Sequence, residues 1–160
     1  MDPSPIRIAA AEGPGDIETV RRMFLEYQES IGVHLCFQDF DRELETLPGR
    51  YAPPGGCLLL AWDGDDLAGI VGMWPLGSDG ASEMKRLYVR PPWRGIGLGR
   101  RLAEAAVEAA LKAGHRSICL DTLEFMTEAR SLYRDMGFTE IPAYYDNPLE
   151  SVVYMERSLG

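Results

Sequence analysis

A short segment rich in glycine and arginine has the residue types and spacing that most clearly indicate chemistry. It reads Arg94-Gly95-Ile96-Gly97-Leu98-Gly99-Arg100 and is followed by Arg101. Glycines let backbone N–H groups turn toward a ligand, and a helix beginning here adds unpaired N–H donors with partial positive charge. The arginines add full positive charge at the same point. The segment predicts a binding site for an anion such as a diphosphate, and the alternative is a glycine-rich turn with solvated arginines.

Two common phosphate-binding motifs do not fit this segment. A P-loop requires GxxxxGK[ST], a string that the sequence does not contain. The dinucleotide fingerprint GxGxxG fails because Arg100 stands where the third glycine belongs. The strands predicted before the segment are antiparallel, whereas a dinucleotide-binding domain begins with a parallel βαβ unit. Binding of NAD is therefore disfavoured.

The elements that must position this segment predict one α+β domain over residues 1–160. Apolar runs bounded by turn residues predict strands at Ile6–Ala10, Cys57–Trp62, Leu67–Trp74, Glu83–Val89, Ser117–Asp121, Phe138–Ile141 and Val152–Arg157. Helical spacing of apolar residues predicts helices at Ile17–Ser30 (with Asp16 as the N-cap), Asp39–Leu47, Gly97–Ala113 and Glu124–Met136. The order is βααβββαβαββ, and the β–α–β unit around Gly97–Ala113 requires one parallel pairing in a mixed sheet.

Composition and charge narrow the classes of partner. The chain has 160 residues with 16 Lys+Arg and 25 Asp+Glu, a net charge of −9, which disfavours nucleic acid because phosphates must be met by basic side chains. No apolar run approaches the roughly 18 residues of a membrane span, and the N-terminus lacks a signal-peptide pattern. The three cysteines (Cys36, Cys57 and Cys119) show no metal-binding spacing, so we expect no metal site and a reducing cytoplasmic location. The sequence leaves a monomer and a homodimer open.

Two motifs, in order along the chain, carry a resemblance to a known family. Arg94-x-x-Gly97-x-Gly99 is similar to the [RQ]-x-x-G-x-[GA] signature of the GNAT superfamily of N-acetyltransferases. Ala129-Arg-Ser-Leu-Tyr-Arg-Asp-Met-Gly-Phe138 resembles that family's A-x-x-L-Y-x-x-x-G-F motif. The resemblance implies a GNAT-like mixed central sheet flanked by helices. It also implies an acyltransferase that moves the acetyl group of acetyl-CoA to a primary amine of a small molecule, amino acid or peptide, by direct attack in a ternary complex.

Other activities are weighed against this one. A catalytically silent module that senses acyl-CoA is the main alternative. A sensor has no need of an acid or a base, so the presence of Glu83 and Tyr133, the candidates for these roles, favours the enzyme. A relative that acetylates aminoacyl-tRNA should carry basic patches, which an acidic chain does not favour.

The resemblance implies where acetyl-CoA, as co-substrate, would bind. Its pyrophosphate would lie on the backbone N–H groups from Gly95 to Arg100. Its pantetheine arm would pair with the backbone of the fourth strand at Leu87, Tyr88 and Val89. Many members carry an Asn that contacts the cofactor at the position of Met126, so this contact is lost here unless Thr122 or Thr127 supplies it.

The resemblance also implies catalytic roles for two residues. Tyr133 would act as the acid that protonates the departing thiolate, with a packing tyrosine as the alternative. Glu83 would be the base that deprotonates the acceptor, and a water chain, His34 or His115 are the alternatives. If Glu83 is not the base, it is a strand-end carboxylate in water or paired with a neighbouring lysine. Strand alternation predicts four side chains on one face: Glu83, Lys85, Leu87 and Val89.

The acceptor site is predicted only in outline. In the family it is built from the first two helices, their connection and the last hairpin. Here those pieces contribute Tyr27, His34, Phe37, Tyr144, Tyr145 and Asn147. The tyrosine pair fits a packed hairpin equally well. Acidic residues of the second helix either attract a cation or form a solvated face: Asp39, Asp41 and Glu43.

Overall fold

The structure is a computed structural model that describes residues 5–32, 40–77, 79–145 and 151–160. Its sheet contains strands β1 (Arg7–Ala10), β2 (Cys57–Asp63), β3 (Asp66–Leu76), β4 (Ala81–Val89), β5 (Ser117–Leu123), β6 (Thr139–Ile141) and β7 (Val152–Ser158). Its helices are α1 (Gly13–Ile31), α2 (Phe40–Thr46), α3 (Leu98–Lys112) and α4 (Thr127–Asp135). Short 3-10 turns lie at Gly49–Tyr51 and Pro91–Trp93. The predicted order βααβββαβαββ and the α+β class are confirmed.

The seven strands form one mixed sheet in the order β1-β2-β3-β4-β5-β7-β6. β4 pairs with β5 in parallel, and the other neighbouring strands pair antiparallel. The parallel pairing follows from α3, because a helix between two strands of one sheet returns the chain in its original direction.

Helices cover both faces of the sheet. The apolar stripe of α3, with Leu102 and Ala106 fully buried, packs with α4 against one face. On the other face, Val20 and Phe24 of α1 join Phe40 of α2 in a second cluster. The two buried layers enclose the sheet, and α3 follows the end of β4 after the short turn at Pro91–Trp93. In the described part of the chain, no helix is long and apolar enough to cross a membrane.

The first helix begins earlier than its cap signal predicts. The N-cap is Glu12, so the assignment of Asp16 to that role is wrong. Pro14 occupies the first turn of α1, where its missing N–H is no loss. The Asp16 carboxylate instead accepts a 2.8 Å hydrogen bond from the Glu12 backbone N–H, so it still stabilises the helix start.

Candidate active site

The parallel pair β4 and β5 opens into a cleft. Backbone pairing between them covers Ala81↔Ser117, Ser82↔Ile118 and Glu83↔Cys119, and then ends. Beyond this point β4 stays paired with β3, and β5 stays paired with β7. The β4 edge from residue 84 to residue 89 therefore offers backbone groups to a ligand lying in the cleft, as an added strand would use them.

A bulge in β4 sets which side chains face which layer. Gly72 pairs with Lys85 and Ile70 with Tyr88, so two residues of β4, Arg86 and Leu87, lie opposite one residue of β3. Arg86 has a left-handed backbone with φ 60°. An extra residue in one strand reverses the alternation of its side chains.

The prediction that Glu83, Lys85, Leu87 and Val89 share one face is therefore wrong. Glu83 and Lys85 lie on the side of α1 and α2, together with Arg86. Leu87 and Val89 pack against the core beneath α3 and α4. The bulge accounts for the difference, because Arg86 joins the face of Lys85 and shifts every residue after it.

The glycine segment lies at the mouth of this cleft and leads into α3. Gly95 and Gly97 have φ values of 80° and 87°, in the left-handed region that side chains other than glycine adopt at a cost. Gly97 is the N-cap of α3, and no side chain caps the helix. The helical hydrogen bonds begin with the Arg101 N–H donating to the Gly97 carbonyl at 3.2 Å. The preceding N–H groups thus have no intrahelical partner, as an anion site at a helix start requires.

The arginines around the segment are only partly available to an anion. The Arg94 Nε donates to the Val89 carbonyl at 2.8 Å, and its guanidinium lies 5.7 Å from the centre of the Tyr88 ring. Arg100 forms an ion pair with Glu104 at 2.8 Å on the helix surface. Arg101 lines a groove between β1 and α3. The positive character of the site thus comes more from backbone N–H groups than the sequence suggests.

The remaining cofactor-site candidates divide between core and cleft. Leu98 is buried in the α3 core, and Ile96 packs against it. Gly99 faces Val89, with 3.9 Å between the position of a Cβ and the Val89 side chain. Tyr88 lies on the α1 side, edge-to-face with Tyr27 at 6.1 Å.

Glu83 is buried, with 3% of its surface exposed, which excludes the alternative of a strand-end carboxylate in water. Its Oε1 accepts a 2.7 Å hydrogen bond from the Trp74 indole, and its Oε2 accepts one from the Tyr144 hydroxyl. The Lys85 ammonium lies 3.8 Å from Oε1, which supports the predicted pairing with a lysine. The carboxylate is held in place at the last residue before the cleft opens.

Two buried cations follow Glu83 along β4. Burial lowers the pKa of Lys85, while the nearby Glu83 charge opposes that shift. Arg86 binds Glu43 of α2 through two nitrogens, at 3.0 and 3.2 Å, and Tyr51 donates to the same carboxylate at 2.9 Å. Glu43 is therefore a buried ion-pair partner, and neither a solvated residue nor a free attractor of cations.

Tyr133 is buried at 7% exposure and packs against Phe138 at 5.8 Å between ring centres. Burial, with smaller contributions from Tyr27 and Asp121, raises the pKa of Tyr133 well above its ordinary value of 10. Its phenol thus stays protonated near neutral pH and can donate a proton. The hydrogen bonds found in the described regions do not involve its hydroxyl.

Three tyrosines of the last hairpin meet at the other wall of the cleft. Tyr144, Tyr145 and Tyr154 pack mutually with ring centres 5.2 to 5.6 Å apart. Tyr144 donates to Glu83 and Tyr145 donates to Asp121 of β5. The acceptor-site candidates Tyr144 and Tyr145 thus lie together beside the cleft, and the candidate Tyr27 packs against Tyr88 of β4. The other candidates lie outside the described residues: His34, Phe37, Asn147 and Asp39.

His115 does not lie with the catalytic candidates. Its Nε2 is 2.8 Å from the carbonyl oxygen of Gly55, and the ring is partly buried between α3 and β5. Met126 is the N-cap of α4, and its sulfur accepts a 3.7 Å contact from the Thr122 hydroxyl. Both side chains have structural partners.

Sequence reasoning missed Trp74, Arg86 and Asp121. The contact of Trp74 with Glu83 could have been predicted, because the short turn between β3 and β4 makes these two residues direct cross-strand partners. Asp121 ends the predicted fifth strand, one strand away from the end of β4. Arg86 carries no such signal, because a left-handed backbone in a strand is not expected of an arginine.

Comparison with known proteins places this geometry in a family. The profile described as "Acetyltransferase (GNAT) family" matches residues 17–138. A protein of Schizosaccharomyces pombe, named as an uncharacterized N-acetyltransferase, is 41% identical over 161 residues, covering 100% of this chain and 99% of that protein.

Solved structures show the same fold at lower identity. An acetyltransferase from Streptococcus agalactiae superposes with a TM-score of 0.78 at 20% identity, over 97% of this chain and 99% of the other. A Bacillus subtilis acetyltransferase in complex with CoA gives a TM-score of 0.69 at 21% identity, over 96% and 99%. The profile match and the 41% identical relative establish that the chain belongs to the acetyltransferase (GNAT) family of acyltransferase enzymes.

Proposed function

We propose that residues 1–160 form one domain and that this domain transfers the acetyl group of acetyl-CoA to a primary amine in a ternary complex. The observation that carries this proposal is the opening of β4 from β5 directly after Glu83, beside a helix start whose N–H groups have no capping side chain. Glu83 on β4 stands where the strands separate, and Tyr133 on α4 has a phenol for which the described residues offer no hydrogen-bond partner. The S. agalactiae and B. subtilis structures of the same fold are acetyltransferases, the second with CoA bound.

The residues of the cleft fit acetyl-CoA. The backbone N–H groups from Gly95 to Arg100 suit a pyrophosphate, because the helix start adds partial positive charge. The unpaired edge of β4 at Leu87, Tyr88 and Val89 suits the amides of the pantetheine arm. The bound thioester would supply an activated acetyl group, and CoA would leave from it as a thiol.

Glu83 and Tyr133 divide the proton transfers of the reaction. Glu83 takes one proton from the acceptor ammonium, so that its nitrogen can attack the thioester carbon. A backbone N–H of β4 stabilises the charge that develops on the carbonyl oxygen. The carbon–nitrogen bond forms, the carbon–sulfur bond breaks, and Tyr133 gives its proton to the sulfur. The second nitrogen proton restores the Tyr133 hydroxyl, and the first leaves Glu83 for solvent.

Turnover is the direct test. The protein is incubated with acetyl-CoA and a panel of primary amines, and free thiol release is followed. Thiol release that depends on the amine supports the proposal. Clear thermal stabilisation by acetyl-CoA without turnover of any amine would instead favour an acyl-CoA sensor.

The compartment and partners follow as further proposals. Cys57 and Cys119 are free thiols, and we propose a reducing cytoplasm as the location. With a net charge of −9, a small-molecule amine is a better partner than nucleic acid.

A further inference from the structure

A cavity of about 350 Å³ opens between α2 and the end of β3, on the side of the sheet that carries Glu83. Its walls include Arg42, Glu43 and Thr46 of α2, and Arg50, Tyr51 and Trp74. The volume is enough for a small metabolite. None of the residues assigned above to acetyl-CoA lines this cavity, so the cavity is distinct from the proposed acetyl-CoA site.

The charge of this cavity is positive, although the chain as a whole is acidic. Glu43 is already neutralised, because Arg86 binds it through two nitrogens and Tyr51 donates to it. Arg42 and Arg50 both line the cavity, and within the described ranges neither forms an ion pair with a carboxylate. Arg50 is held in place by its contact with the Trp74 ring, 3.9 Å from the ring centre, and by donation to the Pro75 carbonyl at 2.8 Å. Two guanidinium groups therefore remain for an anion, and guanidinium binds carboxylate and phosphate through paired hydrogen bonds.

Trp74 connects this cavity to the proposed base. Its ring forms part of the cavity wall, and its indole N–H donates to Glu83 at 2.7 Å. Lys85 lies 5.3 Å from the centre of the same ring and 3.8 Å from Glu83, so the ring contacts both members of this ion pair. Trp74 thus contacts both Glu83 and Arg50. An acceptor with its amine near Glu83 could therefore extend past this one side chain to Arg50.

We infer that the acceptor is an amine that also carries an anionic group, a carboxylate or a phosphate, which Arg50 and Arg42 bind in this cavity. The inference rests on the proposed acetyl transfer and adds the substrate class. The two arginines act in specificity: they bind the end of the acceptor that does not react. A neutral or purely cationic amine has no partner for them.

Matched pairs of acceptors test the inference. The common L-amino acids other than proline, aspartate and glutamate are compared with their α-carboxamides, and phosphoethanolamine is compared with ethanolamine, by thiol release from acetyl-CoA. We expect kcat/KM to favour the anionic member of at least one pair, and the pair that responds tells carboxylate from phosphate. Arg50→Gln should raise KM for the anionic acceptor roughly tenfold to a hundredfold, the value of a charge-assisted hydrogen bond, with a smaller change in kcat.

Further variants separate charge from local packing. Arg42 does not share the contact that Arg50 makes with the Trp74 ring. The Arg42→Gln variant therefore tests the loss of charge without the loss of that contact, and it should raise the KM for the anionic acceptor. Arg50→Lys keeps the charge and should recover part of the affinity. Arg22→Gln, at an exposed position of α1, makes the same charge change elsewhere and should leave KM unchanged.

Each outcome separates the two proposals. Turnover that prefers the carboxamides and ethanolamine, or a KM for anionic acceptors that neither arginine variant changes, overturns the inference and leaves acetyl transfer standing. Failure of every amine to be acetylated overturns the proposed function and the acceptor assignment with it.

Discussion

Replacing Glu83 by glutamine tests the proposed base without changing the shape of the side chain. The glutamine oxygen can still accept from the Trp74 indole, and its NH2 group can donate to the Tyr144 hydroxyl, which then acts as acceptor. The two hydrogen bonds that hold the side chain are thus kept. What is lost is the negative charge and the ability to take a proton.

The loss of charge affects the buried Lys85. Unit charges 3.8 Å apart attract by about 4 kcal/mol at an effective dielectric constant of 20, which sets an upper limit on the loss of stability. Burial already lowers the pKa of Lys85, and the Glu83 charge opposes that shift. In the variant Lys85 therefore releases its proton more readily, and the loss stays below this limit. We expect the variant to fold, with a lower unfolding free energy in chemical denaturation.

The kinetic effect should be larger and should depend on pH. Loss of a general base lowers rates by about 10² to 10⁴, so thiol release at pH 7 should fall by that factor. The remaining activity should come from acceptor that has lost its proton in solution. The rate of the variant should therefore rise tenfold per pH unit until the pKa of the acceptor is reached, and approach that of the native protein there.

A carboxylate on the surface of α3 provides the control for Glu83→Gln. Glu108→Gln removes an exposed carboxylate that pairs with Lys112 on α3, and it should change neither rate nor profile. A Glu83→Gln variant that loses activity by the same factor at every pH would show that Glu83 positions the acceptor and does not take its proton. A variant with full activity at pH 7 would remove Glu83 from the mechanism.

Three further predictions concern the acid, the glycine loop and the buried ion pair. Tyr133→Phe should lower kcat by about 10² or more with little change in KM for acetyl-CoA. In the native protein, burial raises the pKa of Tyr133 above 10, so a pH–rate profile should show no loss of activity from ionisation of this tyrosine below pH 10. Gly97→Ala should cost roughly 1–2 kcal/mol of stability at φ 87°, and Gly97→Glu should in addition weaken acetyl-CoA binding in calorimetry; equal affinities of the two variants would contradict the loop assignment. Glu43→Gln should lower the unfolding free energy by about 3–5 kcal/mol because it leaves the Arg86 charge buried, whereas Glu45→Gln, exposed on the same helix, should change it little in the same denaturation experiment.

The sequence predicted the elements that local signals define. Turn residues and apolar periodicity placed all seven strands and four helices in order, and the β–α–β unit around α3 required the parallel pairing of β4 with β5. The start of α1 was placed late, because Asp16 has the residue type of a cap but acts from inside the first turn. Local signals mark an end to within a turn, and the backbone geometry decides which residue occupies it.

The sequence named candidate site residues but could not predict their contacts. Glu83 and Tyr133 followed from motif positions, whereas the burial of Glu83 depends on Trp74 and on Tyr144, 61 positions away. The bulge at Arg86 was not predictable, because strand alternation assumes two residues per repeat and the stabilising partner, Glu43, lies 43 positions earlier. Long-range pairs of this kind leave no local pattern.

The bulge at Arg86 is the feature that lets one strand serve two proposed ligands. A left-handed arginine costs roughly 1–2 kcal/mol, and the two-nitrogen contact with Glu43 fixes that conformation against α2. Before the bulge, β4 turns Glu83 and Lys85 toward α1 and α2, where the arginine-lined cavity lies. After it, Leu87 and Val89 turn into the α3 core. A regular strand would place Leu87 among the charged groups and Arg86 in the apolar core, so the ion pair with Glu43 keeps the proposed acceptor side polar and the wall under α3 apolar.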